Sequence, residues 1–129
     1  MKNDSQKLLN LVAQIIYDKK GFNILALDVT GLCSFADFII IAEGNVDRHV
    51  KAIASAIIED LKKRGVSPYR VEGKAGGDWI IIDYHGILIN LFMPGLREKY
   101  QLEKIWSKAQ IIDLKIDLES KKMQDAHEE

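Results

Sequence analysis

One cysteine, Cys33, occurs in the whole chain of 129 residues, so no disulfide framework can form within it. That usage fits a reducing compartment. An excess of charge of either sign is missing too: 18 Lys and Arg stand against 19 Asp and Glu, a net charge of −1. A dedicated DNA or RNA binder usually carries a basic surplus, so the composition argues against that class. It leaves open binding to a protein inside a nucleoprotein particle. Long apolar runs are absent: the longest, Phe38-Ile39-Ile40-Ile41-Ala42, has the length of a strand, far below the roughly 18 residues of a membrane span. The opening Met1-Lys2-Asn3-Asp4-Ser5 has no apolar core region and no small-residue cleavage motif. The expectation is a cytoplasmic protein.

Apolar residues make up 47% and charged residues 29%, an ordinary globular balance. Leu8, Leu11, Val12, Ile15 and Ile16 recur at helical spacing, with Asn3, Asp4 or Ser5 as caps. Ile24 to Val29 and Asp37 to Ala42 read as strands, and the second is apolar on both faces, as a central strand requires. Val50, Ile53, Ala54, Ile57, Ile58 and Leu61 define one face of a second helix, with Gly65 placed to end it. A short segment, Tyr69 to Val71, leads into the loop Glu72 to Gly77. Trp79 to Tyr84 and Ile87 to Phe92 are two strands joined by His85-Gly86, a tight-hairpin signal. Leu96 to Trp106 offers short helical turns. The expected fold is α/β: a single domain over 1–116, with one mixed sheet of about five strands flanked by helices. The polar stretch 117–129 is expected as a C-terminal tail.

Enzymatic chemistry finds little support. Asp28, Asp37, Glu43 and Asp83 lie in or beside strands, yet no D-x-D shares a strand face, and an Asp at a strand end commonly caps a turn. Ser34 and Asp37 give a faint echo of nucleotidyl transfer, without the carboxylate pair that two divalent ions need. Glu72-Gly73-Lys74-Ala75-Gly76-Gly77 is not a phosphate loop, because no Ser or Thr follows Lys74. His49, His85 and His127 show no recognised ligand spacing, with each other or with Cys33. The expectation is no enzyme, no metal and no cofactor. The alternative is a residual nucleotidyltransferase or nucleotide-binding protein.

The hairpin carries more. Trp79, Ile81 and Asp83 alternate onto one face, Ile80, Ile82 and Tyr84 onto the other. Trp79, Tyr84, Phe92, Arg97, Tyr100 and Trp106 crowd into one short stretch. Trp, Tyr and Arg dominate interface energetics. Either these residues fill a core or some of them form a protein-binding patch.

The ordered set of Ser34 to Ala42, Gly44-Asn45, Asp47 to Ala54, Glu72-Gly73, Trp79 to Tyr84 with Gly86, and Leu91-Phe92 is specific. So is the ending Arg97, Tyr100, Leu102-Glu103 and Trp106. On these residues, across roughly 5 to 114, the chain resembles the ribosomal silencing factor RsfS, or Iojap, family. It departs at Asn90, where that family usually has His, at Glu43, where a small hydroxyl residue is common, and at Val46, where Ser often starts the helix. Val cannot cap, so Asn45 or Asp47 is expected to do so.

The resemblance implies a fold like that of minimal nucleotidyltransferases without their catalytic residues. It implies binding to the large ribosomal subunit through its fourteenth ribosomal protein. It further implies obstruction of joining with the small subunit and repression of translation when nutrients are short. The partner-binding residues expected on this basis are Trp79, Asp83, Tyr84, Asn90, Phe92, Arg97 and Tyr100. A peripheral contact of Lys62-Lys63-Arg64 with ribosomal RNA and a homodimer off the ribosome are further expectations.

Overall fold

The computed structural model describes residues 2–96 and 108–118, with side chains from residue 4 onward. Helix α1 (Lys2–Asp18) is followed by β1 (Phe22–Asp28) and β2 (Ala36–Glu43). Helix α2 (Asp47–Lys63) leads to β3 (Arg70–Glu72), β4 (Trp79–Tyr84), β5 (Gly86–Phe92) and β6 (Gln110–Ile111). The sheet order is β3-β4-β5-β2-β1-β6. Only the central β2–β5 pair is parallel; the other four pairs are antiparallel. The expected α/β domain and mixed sheet are therefore present, with six strands among the described residues in place of about five. The sixth has two residues, and both are exposed. No hydrophobic period marks so short an element; pairing with β1 alone creates it.

Both helices cover one face of the sheet. Leu9, Val12 and Ile16 of α1 and Val50, Ile53, Ile57 and Leu61 of α2 pack with Ala26, Ile40, Ile82, Ile89 and Leu91. The opposite face has its own buried cluster: Leu27, Val29, Ala36, Ile39, Ile41 and Phe92. Trp79, Leu88, Leu96 and Ala109 pack against that second cluster. This two-sided burial is why β2 reads as an unbroken apolar run.

Local chemistry sets the ends. Helix α2 closes on Gly65 at φ 83°, with Val66 N–H bonded to Leu61 C=O and Gly65 N–H to Lys62 C=O. This is the paired-bond termination that glycine permits. At its start Val46 is the N-cap and offers no side-chain bond. Asp47 does not replace it as N-cap; its carboxylate accepts the next amide, Arg48 N–H, at 2.8 Å. His49 supplies further order: Nδ1 accepts Asn45 N–H at 2.9 Å while Nε2 lies 2.7 Å from Lys19 C=O. One acceptor and one donor nitrogen define the neutral Nε2–H ring. It ties the end of α1 to the start of α2. The hairpin forms as expected, with Tyr84 opposite Ile87 and positive φ at both His85 and Gly86.

Candidate partner-binding face

The antiparallel register puts Trp79, the first residue of β4, directly opposite Phe92, the last of β5. Their ring centroids lie 5.0 Å apart at 32°. Asn90 stands two residues before Phe92 on the same face. Its Oδ1 accepts the indole Nε1–H of Trp79 at 3.1 Å. Phe92 is fully buried and Asn90 nearly so, whereas Trp79 is half-buried. The indole is thus fixed by a ring platform and a hydrogen bond while part of it meets solvent. Such an aromatic loses little freedom on binding, which is what makes an efficient anchor.

The start of β4 is held just as closely. Gly73 has φ 80°, and a Cβ built on it would fall 2.0 Å from the carbonyl oxygen of Trp79. No other residue fits there. Asp78 accepts Trp79 N–H through its side chain, and its carbonyl accepts Met93 N–H at 2.9 Å. The glycine-rich segment thus serves to bring backbone against backbone.

Asp83 occupies the far end of the same β4 face. Its side chain is 17% exposed and lies 3.9 Å from Arg70, its register partner on β3. Arg70 also reaches Glu72 at 3.3 Å. Tyr84 is placed differently. Five positions separate it from Trp79, an odd step that turns a strand residue to the other face. It sits in the helix-covered core with 4% of its surface exposed. Its hydroxyl finds no hydrogen-bond partner among the described residues. Burial pushes that hydroxyl up from 10.0 to about 12. Trp79, Asn90 and Phe92 are therefore brought together, with Asp83 along the same face, and Tyr84 is not. Tyr84, expected as a partner-binding residue, lies in the core on the helix-covered face. Arg97 and Tyr100 lie outside the described residues.

The remaining sequence candidates are dispersed. Asp28 accepts Thr30 N–H at 3.0 Å, a turn bond, and Glu43 pairs with Asn23 at 2.6 Å. Among the described residues no group of three or more His, Cys, Asp or Glu side chains is arranged to hold a metal. A groove of about 310 Å³ between the helices is lined by Asp18, Lys19, Glu59, Asp60 and Lys63 around Ile15 and Ala56. Its mixed charges give no single-sign surface for a phosphate.

Two features had no sequence signal. Phe35 and Tyr69 are 63% and 68% exposed. Phe35 adjoins the Ala36–Gly86 pair, and Tyr69 meets His85 edge-on at 5.0 Å, so both lie at the end of the sheet away from Trp79. Each precedes a strand, where no periodicity speaks for it. The second feature is the packing of Ala109, beside the β1 edge, against the cluster that includes Leu27, Val29 and Ile39, which a polar-flanked alanine does not announce.

The family model described as ribosomal silencing factor during starvation matches residues 2–129. A ribosomal silencing factor of Halalkalibacterium halodurans is 33% identical over 110 residues, covering 85% of this chain and 94% of that one. A mouse protein named mitochondrial assembly of ribosomal large subunit protein 1 is 28% identical over 102 residues, or 77% of this chain and 45% of that one. A crystal structure of a Chromobacterium violaceum protein superposes with a TM-score of 0.76 at 29% identity, covering 87% of this chain and 92% of that one.

Proposed function

The chain belongs to the ribosomal silencing factor family, and from that premise we propose that it binds the large ribosomal subunit through its fourteenth ribosomal protein and blocks joining with the small subunit. The observation that carries the binding reading is the tethered, half-buried Trp79 on the sheet face opposite α1 and α2. Phe92 serves as its platform and Asn90 as its tether. Asp83 offers a carboxylate at the other end of that face for a basic group on the partner. Arg97 and Tyr100 extend the proposed contact. Tyr84 contributes to the core beneath it.

The mechanism requires no bond to be made or broken. A chain of this size folds to a body about 30 Å across. That is large against the near-contact spacing of two docked surfaces. A ligand that binds free large subunits and not joined ribosomes pulls the joining equilibrium apart. At a hundred times Kd the shift is about 2.7 kcal/mol, roughly a hundredfold. A contact of ~800 Å² per partner with one or two aromatic anchors suffices. The name of the mouse relative, which concerns assembly of the ribosomal large subunit, supports the choice of subunit. A cytoplasmic setting follows from the same reading.

A subunit-reassociation gradient tests this. Saturating protein should leave subunits separate and travel with the large one alone. Equal association with large subunits and joined ribosomes would remove the steric mechanism.

A further inference from the structure

The start of helix α2 touches the Trp79 site from two sides. Gly44, the residue after β2, donates its N–H to Phe92 C=O at 2.9 Å, so the turn into α2 hangs on the platform residue of the indole. A Cβ on Gly44 would lie 3.1 Å from Val50 and 3.2 Å from His49 Nδ1, which leaves that turn pressed against the helix. On the other side, a Cβ on Gly77 would lie 3.0 Å from Asp47 C=O and 2.8 Å from Lys51 Cε. The loop two residues before Trp79 thus rests on the same first turns of α2. The register agrees: Glu43, one residue before Gly44, stands opposite Phe92, and Phe92 opposite Trp79.

One side chain sets this junction. His49, the third residue of α2, reaches back to accept Asn45 N–H at Nδ1, 2.9 Å away, while Nε2 donates to Lys19 C=O at 2.7 Å. That is the backward half of a capping box, displaced onto Asn45. The forward half is missing, because Val46 has no side-chain bond to give. The turn Gly44-Asn45 is therefore bonded at successive amides, the first to Phe92 and the second to His49. The two bonds of the ring answer differently to a proton. The Nδ1 acceptor exists only in the neutral ring; in the imidazolium both nitrogens donate, and Nδ1–H would face Asn45 N–H. The bond to Lys19 survives protonation, so the ring stays on α1 and releases the turn.

We propose that His49 is a positioning residue for partner binding: its neutral imidazole holds the turn behind Phe92, and a second proton on the ring loosens the Trp79 site. The inference rests on the reading that this face binds the large subunit. The ionisable residues of the segments that meet at the ring are Asp18, Lys19 and Lys20 at the end of α1, Glu43 at the end of β2, and Asp47 and Arg48 in α2. The carboxylates among them take other partners: Asp18 accepts from Gln14, Glu43 from Asn23 and Asp47 from Arg48 N–H. The backbone bond at Nδ1 contributes at neutral and alkaline pH and is lost as the pH falls through the range in which imidazole titrates.

The experiment follows the full-length wild type and His49→Gln from about pH 8 to about pH 5.5. Glutamine at the third helical position makes the backward bond and gains no proton. Amide and indole N–H resonances are read by NMR, and affinity by co-sedimentation with purified large subunits. In the wild type the Asn45 amide and the Trp79 indole N–H should shift along one titration curve with the His49 ring, and affinity should fall about threefold or more across it. In His49→Gln both resonances and the affinity should stay level over the same range. A wild type in which Asn45 moves while the Trp79 indole or the affinity does not overturns the inference. So does an Asn45 amide indifferent to pH, or a His49→Gln variant that keeps the wild-type pH response. Should His49→Gln fail to fold, the shared or separate midpoints of Asn45, Trp79 and the ring in the wild type decide alone. Failure of the wild type to bind large subunits at every pH overturns the functional reading itself, and the resonances still show whether His49 governs the indole.

Discussion

Trp79 keeps part of its ring in solvent while Phe92 and Asn90 fix its orientation. Trp79→Ala should therefore weaken large-subunit binding by about 2 kcal/mol or more, in the range of interface hot spots, with circular dichroism unchanged. Undiminished co-sedimentation of the folded variant would place the interface elsewhere. Gly73→Ala should lower both stability and binding, because a Cβ there collides with the Trp79 carbonyl. Tyr84 makes the opposite kind of prediction. Its folded pKa, about 12, lies above the ordinary 10.0, so the neutral phenol's contribution is whole below pH 10 and is lost as pH rises through 12. A rise of that size corresponds to about 2–3 kcal/mol. Tyr84→Phe removes a buried hydroxyl without a described partner. It should leave neutral-pH stability equal or up to ~1 kcal/mol higher, and alkaline urea titrations should lose the step between pH 10 and 12.

Helix α2 has one well-finished end and one open one. The Gly65 termination satisfies the last carbonyls, and its φ of 83° makes Gly65→Ala cost about 1 kcal/mol. At the start Val46 is half exposed, extended and without a side-chain bond to the helix. Val46→Ser should stabilise by about 1 kcal/mol in urea unfolding, since the hydroxyl gains an amide partner and little apolar surface is forfeited. His49 already secures this end from the side, through Asn45 and Lys19. A gain well below the usual value would show that this bridge has taken over the role of the cap. Strand alternation in β4 sorts Trp79 and Asp83 from Tyr84. That sorting was readable in the sequence, and it outweighs the grouping of aromatics by proximity along the chain.

Among the described residues, α1 and α2 cover one face of the sheet, and Leu27, Val29, Ala36, Ile39, Ile41 and Phe92 form a buried cluster on the other, with Trp79 packed against it. On the proposed reading the protein acts by occupying space. Its effect on subunit joining should saturate with its affinity for the large subunit and leave each subunit chemically unchanged. Titrating the protein into a light-scattering assay of subunit joining should give inhibition whose midpoint equals the measured Kd. Inhibition whose midpoint does not move when Trp79→Ala weakens large-subunit binding would demand another mechanism.

The sequence by itself determined the two helices α1 and α2, the paired strands, the hairpin turn and the family; the helical turns expected over Leu96 to Trp106 lie almost wholly outside the described residues. Each of these is written in local periodicity, in a glycine at a required φ, or in an ordered set of short motifs. The tertiary structure alone decided the sixth strand, which face of β4 the helices cover, and the bonds of Asn10 and Gln14 to the backbone of Lys115 and Asp117. Two exposed residues become a strand only when β1 offers its edge. A tyrosine is core or surface according to what packs over it. Two polar residues on a helix gain backbone partners only when a segment about a hundred positions later comes to lie across them. Long-range contacts of this kind leave no local period, because their partners are set by the path of the chain in space.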